Sequence, residues 1–141
     1  MGTTLTASAE LTNGRMMFLG ESGGHTVITD YVPPYGDGQG FTPLQLFLVS
    51  LSSCLGGTVR ALAGAMKRHV GGMTVTAEGD RREAHPTMFD SIRLHVRVVS
   101  DDITEDDMAA MLKRAEETLC PLAAMVKATV PLHMDYEIVR E

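Results

Sequence analysis

Two thiols, Cys54 and Cys120, are the residues of this 141-residue chain whose type and placement most invite chemistry. They are too few for a disulfide scaffold, and at 66 residues apart they form no C-x-x-C pair of the zinc or thioredoxin kind. A thiol acts as a nucleophile only as its thiolate, so what surrounds each sulfur decides between reactivity and inert packing. On a helix Cys54 shares a face with Ser50, Gly57, Thr58 and Ala61, all small, which leaves room for a partner or ligand beside the sulfur. Cys120 is followed by Pro121, which suits the first position of a helix. That puts Cys120 at the N-cap, where unpaired amides and the helix dipole lower a thiol pKa. The alternatives are plain core packing for Cys54 and a simple helix break at Cys120. The pair gains meaning only if the fold brings the two sulfurs together.

Other chemistry-bearing residues are less suggestive. None of the five histidines is near enough in sequence to a cysteine or another ligand to suggest a metal, and His25, His85, His95 and His133 fall in strands or loops, so solvated histidines are expected. Asp101-Asp102 and Glu105-Asp106-Asp107 lack the alternating ligands and the glycine of a calcium loop. They read instead as favourable charge at a helix N-terminus.

The elements that must position the thiols follow from the hydrophobic pattern. Leu5 to Leu11, Arg15 to Leu19 and His25 to Tyr31 are strand-like runs separated by Asn13-Gly14 and Ser22-Gly23-Gly24. Val32 to Gly40, rich in Pro and Gly, is a loop. A long helix is expected from Thr42-Pro43 to about His69, ahead of Gly71-Gly72. From Phe41 to Val59 it carries no charge, enough for a membrane span, but Gln45, its hydroxyl residues, Arg60 and the β-rich flanks favour a buried helix in a soluble domain. Met73 to Arg82 and Ser91 to Ser100 read as strands, the second alternating Ile92, Leu94, Val96 and Val98 with Arg93, His95 and Arg97. Thr104 and Asp107 form a near capping box ahead of an apolar stripe through Met108, Met111, Leu112, Ala115 and Leu119. A short helix over Leu122 to Thr129 and a strand over Leu132 to Val139 complete the chain.

Composition limits the classes of function. A hydrophobic fraction of 44% supports one packed domain over residues 1–141, and ten Met with no Trp make its core adaptable. A net charge of −6 argues against nucleic acid or an anionic membrane as partner. The N-terminus lacks the basic and apolar segments of a signal peptide, so a cytoplasmic, reducing location is expected.

Taken together, the motifs resemble the OsmC/Ohr family of thiol-dependent hydroperoxide reductases, and within it the small OsmC-like branch. They are Gly40-Phe41-Thr42-Pro43-Leu44-Gln45-Leu46-Phe47-Leu48, then Leu51-Ser52-Ser53-Cys54, and Leu119-Cys120-Pro121. His25 to Asp30 and His85-Pro86-Thr87-Met88-Phe89 support the match. The resemblance implies an α+β fold with two central helices, the longer over about 42–69, wrapped by antiparallel sheets in an intertwined homodimer. It implies that Cys54 attacks a small or organic hydroperoxide to form a sulfenic acid, and that Cys120 resolves it to a disulfide. An external dithiol then restores the thiols, with no bound cofactor or metal.

The resemblance also points to Arg15, after the Asn13-Gly14 turn, as the cation facing the thiolate, with Arg60 and Arg68 as other candidates. Gln45 stands where active relatives commonly carry a Glu that orients this Arg. An amide accepts one bond from a guanidinium but adds no ion pair. On an ideal helix, moreover, Gln45 lies about 180° from Cys54. Two other readings are a degenerate member acting as a ligand-binding or oxidant-sensing dimer, which Gln45 favours, and a Cys54-dependent hydrolase or transferase acting on carbon.

Overall fold

The computed structural model describes residues 2–141, and the chain divides into two compact units, the first ending at Phe47 and the second spanning Leu48–Glu141. In the first unit, β1 (Ser8–Leu11), β2 (Phe18–Ser22) and β3 (His25–Thr29) form an antiparallel sheet in the order β1-β2-β3. The β2–β3 hairpin turns on Gly23 and Gly24, at φ 60° and 83°. Such a turn needs positive φ at both central residues, which glycine adopts without strain. Arg15 and Met17 were expected within a strand but sit in the β1–β2 turn. The Asn13 side-chain oxygen accepts hydrogen bonds from the Arg15 and Met17 amides, diverting them from the ladder.

The loop after β3 is organised by the buried Asp30, whose carboxylate accepts from the amides of Tyr31, Asp37 and Gln39 at 2.8, 3.2 and 3.1 Å. Burial by itself raises the Asp30 pKa, but the three amides together outweigh it and hold the group below its ordinary value.

α1 (Pro43–Ala65) opens on a reciprocal cap. The Gln45 backbone N–H donates to Thr42 Oγ1 at 3.2 Å, while Gln45 Oε1 accepts from the Thr42 N–H at 3.0 Å. The helix stops short of the expected His69. Lys67 takes a left-handed φ of 59°, its N–H donates to the Gly64 carbonyl and the Arg68 N–H to that of Ala63, which is a Schellman closure. Neither Gly71 nor Gly72 is needed to end it. The helix is also less enclosed than its apolar sequence suggested: the buried stripe is Leu51, Leu55, Val59, Leu62 and Ala63, and the other positions are half-buried or exposed.

In the second unit, β4 (Gly72–Arg81) and β5 (Phe89–Val99) form an antiparallel hairpin with a bulge at Asp80/Arg81. The sheet order is β4-β5-β6, with β6 (Leu132–Val139) parallel to β5. This pairing departs from the expected all-antiparallel sheets. The chain between the two strands is a helical crossover, which returns the next strand in the same direction. It consists of α2 (Glu105–Arg114), a π-helical turn over Ala115–Leu119, and α3 (Pro121–Lys127).

The expected cap of α2 forms in full. Thr104 Oγ1 accepts from the Asp107 N–H and the Asp107 carboxylate accepts from the Thr104 N–H, both at 3.0 Å. Ile92, Leu94, Val96 and Val98 of β5 are buried with Met108, Met111, Leu112 and the α1 stripe. This core fixes the second half of α1 and the crossover in one body, and the two cysteines belong to those two segments.

Candidate active site

The Cys120 thiol donates a hydrogen bond to the Cys54 sulfur across 3.2 Å. Both thiols are free, Cys120 buried at 1% exposure and Cys54 half-buried. Cys54 is held by a regular helical segment. Cys120 is held by a change of helical pitch, since its N–H donates to Ala115 O five residues back and closes the π turn. Directly after it, Pro121 begins α3 with Cys120 as N-cap, as the Cys-Pro sequence predicts. The wide turn is supported from the following helix, where Lys127 Nζ donates to the Glu116 carbonyl at 2.9 Å.

The electrostatics of Cys120 reverse the sequence expectation. Burial pushes its thiol above the ordinary value, the Ala123 amide pulls it down, and the contact with Cys54 adds to the rise. At an exposed N-cap the dipole dominates; here the cost of a thiolate without water exceeds it. Burial therefore favours the protonated form of Cys120, which donates to the Cys54 sulfur.

Beside Cys54 lies an open cleft of about 470 Å³ lined by Ser53, Gly57, Thr58, Ala61, Leu62 and Leu119. The small-residue face foreseen around Cys54 thus becomes open space, and a Cβ added at Gly57 would meet no atom within 4 Å. Its neighbour Gly56 does a different job. A Cβ there would come within 3.1 Å of Val75 Cγ2, so the missing side chain permits close packing of α1 on β4. Ser53, Leu62 and Leu119 join the cleft although the sequence does not mark them as site residues. Leu119 reads there as part of the α2 apolar stripe, and only the π turn rotates it out of that register.

The other candidates have definite partners of their own. Arg15, in the first unit, is ion-paired with Asp37 and donates to the carbonyls of Pro34 and Tyr35, tying the hairpin turn to the Pro/Gly loop. Gln45 serves the α1 cap. The hydroxyl-x-x-Gln spacing from Thr42 is the sequence signal of that cap. Arg68 lies 2.9 Å from the Asp107 carboxylate, and Arg60 is exposed on α1. His95 is paired with Asp135 at 2.6 Å rather than free in solvent.

A family model described as OsmC-like protein matches residues 36–135. Protein YhfA of Escherichia coli strain K12 is 28% identical over 125 residues, covering 88% of this chain and 91% of YhfA. A hypothetical protein from Aquifex aeolicus VF5 superposes with a TM-score of 0.87 at 25% identity over 99% of each chain. An organic hydroperoxide resistance protein from Elizabethkingia anophelis gives a TM-score of 0.72 at 19% identity, covering 100% of this chain and 99% of its own. This last likeness is one of fold.

Proposed function

The chain belongs to the OsmC-like protein family, and from that premise we propose that it is a thiol-dependent hydroperoxide reductase with Cys54 as attacking thiolate and Cys120 as resolving thiol. The observation that carries this reading is the pair itself, two free thiols 3.2 Å apart with one beside an open cleft and the other buried. Cys54 sulfur attacks the peroxide oxygen, the O–O bond breaks, and the leaving alkoxide takes a proton to become an alcohol while Cys54 becomes a sulfenic acid. The Cys120 sulfur then displaces the sulfenic oxygen. Its own proton leaves with that oxygen as water, and a Cys54–Cys120 disulfide remains. An external dithiol reduces this disulfide, so the cycle uses no bound cofactor or metal.

The protonated state of Cys120 suits this order. Its S–H stabilises negative charge on Cys54 before the attack, and its low exposure keeps it from competing for peroxide. The reading includes a second copy of this chain as partner, a cytoplasmic setting that keeps the thiols reduced, and neither nucleic acid nor membrane as partner. The test is dithiol-dependent consumption of an organic hydroperoxide. Wild type is expected to turn over and Cys54→Ser to fall to the rate of buffer; equal rates would sink the assignment.

One observation favours a second reading, an oxidant-sensing or ligand-binding dimer that turns over slowly. Gln45 is engaged in the α1 cap and Arg15 with Asp37, so each already has a structural task. Under that reading substoichiometric peroxide forms the disulfide, but added dithiol sustains no steady consumption.

A further inference from the structure

We infer that the Cys54–Cys120 pair is also a capture site for trivalent organoarsenicals, which a single thiol holds loosely and two adjacent thiols hold as a chelate. The inference rests on the spacing of the sulfurs and the shape beside them, and not on peroxide turnover. A pyramidal As(III) centre bonded to two sulfurs keeps them close to the 3.2 Å separation found here. Folding has therefore already brought the two thiols together, and the second As–S bond forms without a further loss of chain freedom.

The surroundings select within the thiophilic class. Arsenic carrying one organic group needs only two protein sulfurs to complete three-coordination. Zinc needs four ligands, or three with an open position, and among the described residues no group of three or more His, Cys, Asp or Glu converges to supply them. The organic substituent has a place to go in the cleft beside Cys54, where Gly57, Ala61, Leu62 and Leu119 present small or apolar surface. Inorganic arsenite would turn a hydroxyl to the same surface and lose that contact.

The reaction involves no change of oxidation state. Two As–O bonds of R–As(OH)₂ break and two S–As bonds form. The two thiol protons depart with the hydroxyl groups as water, and arsenic stays trivalent throughout. No reductant or oxidant is consumed.

The test uses phenylarsine oxide with the reduced full chain, read by intact mass and free-thiol titration after desalting in excess glutathione. Wild type is expected to retain one arsenical per chain with both thiols blocked, and to release it to 2,3-dimercaptopropanol. Cys54→Ser, Cys54→Ala and Cys120→Ser should each lose it to glutathione at least about 100-fold more readily, because only the pair chelates. Circular dichroism identifies any variant that fails to fold, and the remaining folded single-thiol variant carries the comparison. Equal retention by wild type and a folded single-thiol variant, or a wild-type adduct that leaves one thiol titratable, would overturn the proposal. So would capture of arsenite as tight as that of phenylarsine oxide. A wild-type protein that chelates the arsenical but consumes no peroxide supports this proposal and rejects the catalytic one, so the two stand or fall separately.

Discussion

Cys120 keeps its proton because burial penalises its thiolate more than the amides at the start of α3 favour it. In the proposed cycle that proton is spent only when Cys120 attacks the sulfenic acid. Cys120→Ser should therefore still be oxidised at Cys54, with the sulfenic acid trapped by dimedone and carried on to the sulfinic state by excess peroxide. Intact mass spectrometry reads the added oxygens, and sustained wild-type cycling by the variant would show Cys120 to be dispensable. Gln45 invites a different measurement, because its side chain completes the α1 cap. Gln45→Ala should cost about 1 kcal/mol in chemical denaturation, whereas Gln45→Glu should hold or raise stability by about 0.5 kcal/mol, as a carboxylate serves the same box and complements the helix dipole. A large rise in peroxide turnover in Gln45→Glu would instead mark this position as part of the chemistry.

At the scale of elements, the β5–β6 pairing places His95 directly beside Asp135, with Glu137 at 3.4 Å from its other ring nitrogen. The hydrogen bond to Asp135, followed by that to Glu137, raises the His95 pKa above its ordinary 6.5. The stabilisation is fully present below about pH 6.5 and is lost as pH rises through the raised value. The pair is half exposed, so the effect is screened to a few tenths of a kcal/mol, roughly. Denaturation midpoints should fall over that window in wild type and stay flat there in His95→Gln; a flat wild-type profile would show that the contact has no energetic weight. Two further element-level devices set the ends of helices. Lys67 closes α1 in a left-handed conformation, and the π turn sets the rotation at which the chain reaches Cys120.

For the whole molecule, the first unit is the telling part. Among its described residues only Asp30 and Gly36 are buried, while Leu5, Leu11, Leu19, Ile28, Val32, Tyr35 and Phe41 remain exposed. A sheet with so little buried apolar surface is not stable by itself. α1 likewise leaves much of its apolar length open, with Val49 48% exposed and Met66, just past its end, 39% exposed. These surfaces fit the proposal that a second copy covers them. Native mass spectrometry and sedimentation should give twice the chain mass at micromolar concentration, and a stable monomer would contradict it.

Much of this was legible in local sequence. The Gly23-Gly24 hairpin, the Thr42-Pro43 and Thr104-Asp107 helix starts, the alternating face of β5 and Cys120 before a helix-starting proline all follow from neighbours a few residues apart, where backbone sterics and short hydrogen bonds decide. Resemblance to a family placed the two thiols as a pair, which their 66-residue spacing alone left open. Only the tertiary structure decided the rest. The parallel return of β6 depends on how a crossover packs. The π turn depends on fitting α2 and α3 to one core. The sign of the Cys120 shift depends on burial, which sums contributions from residues far away in the chain. What brings the sulfurs within 3.2 Å is the shared core beneath α1 and the crossover, a property of packing that no short window of sequence contains.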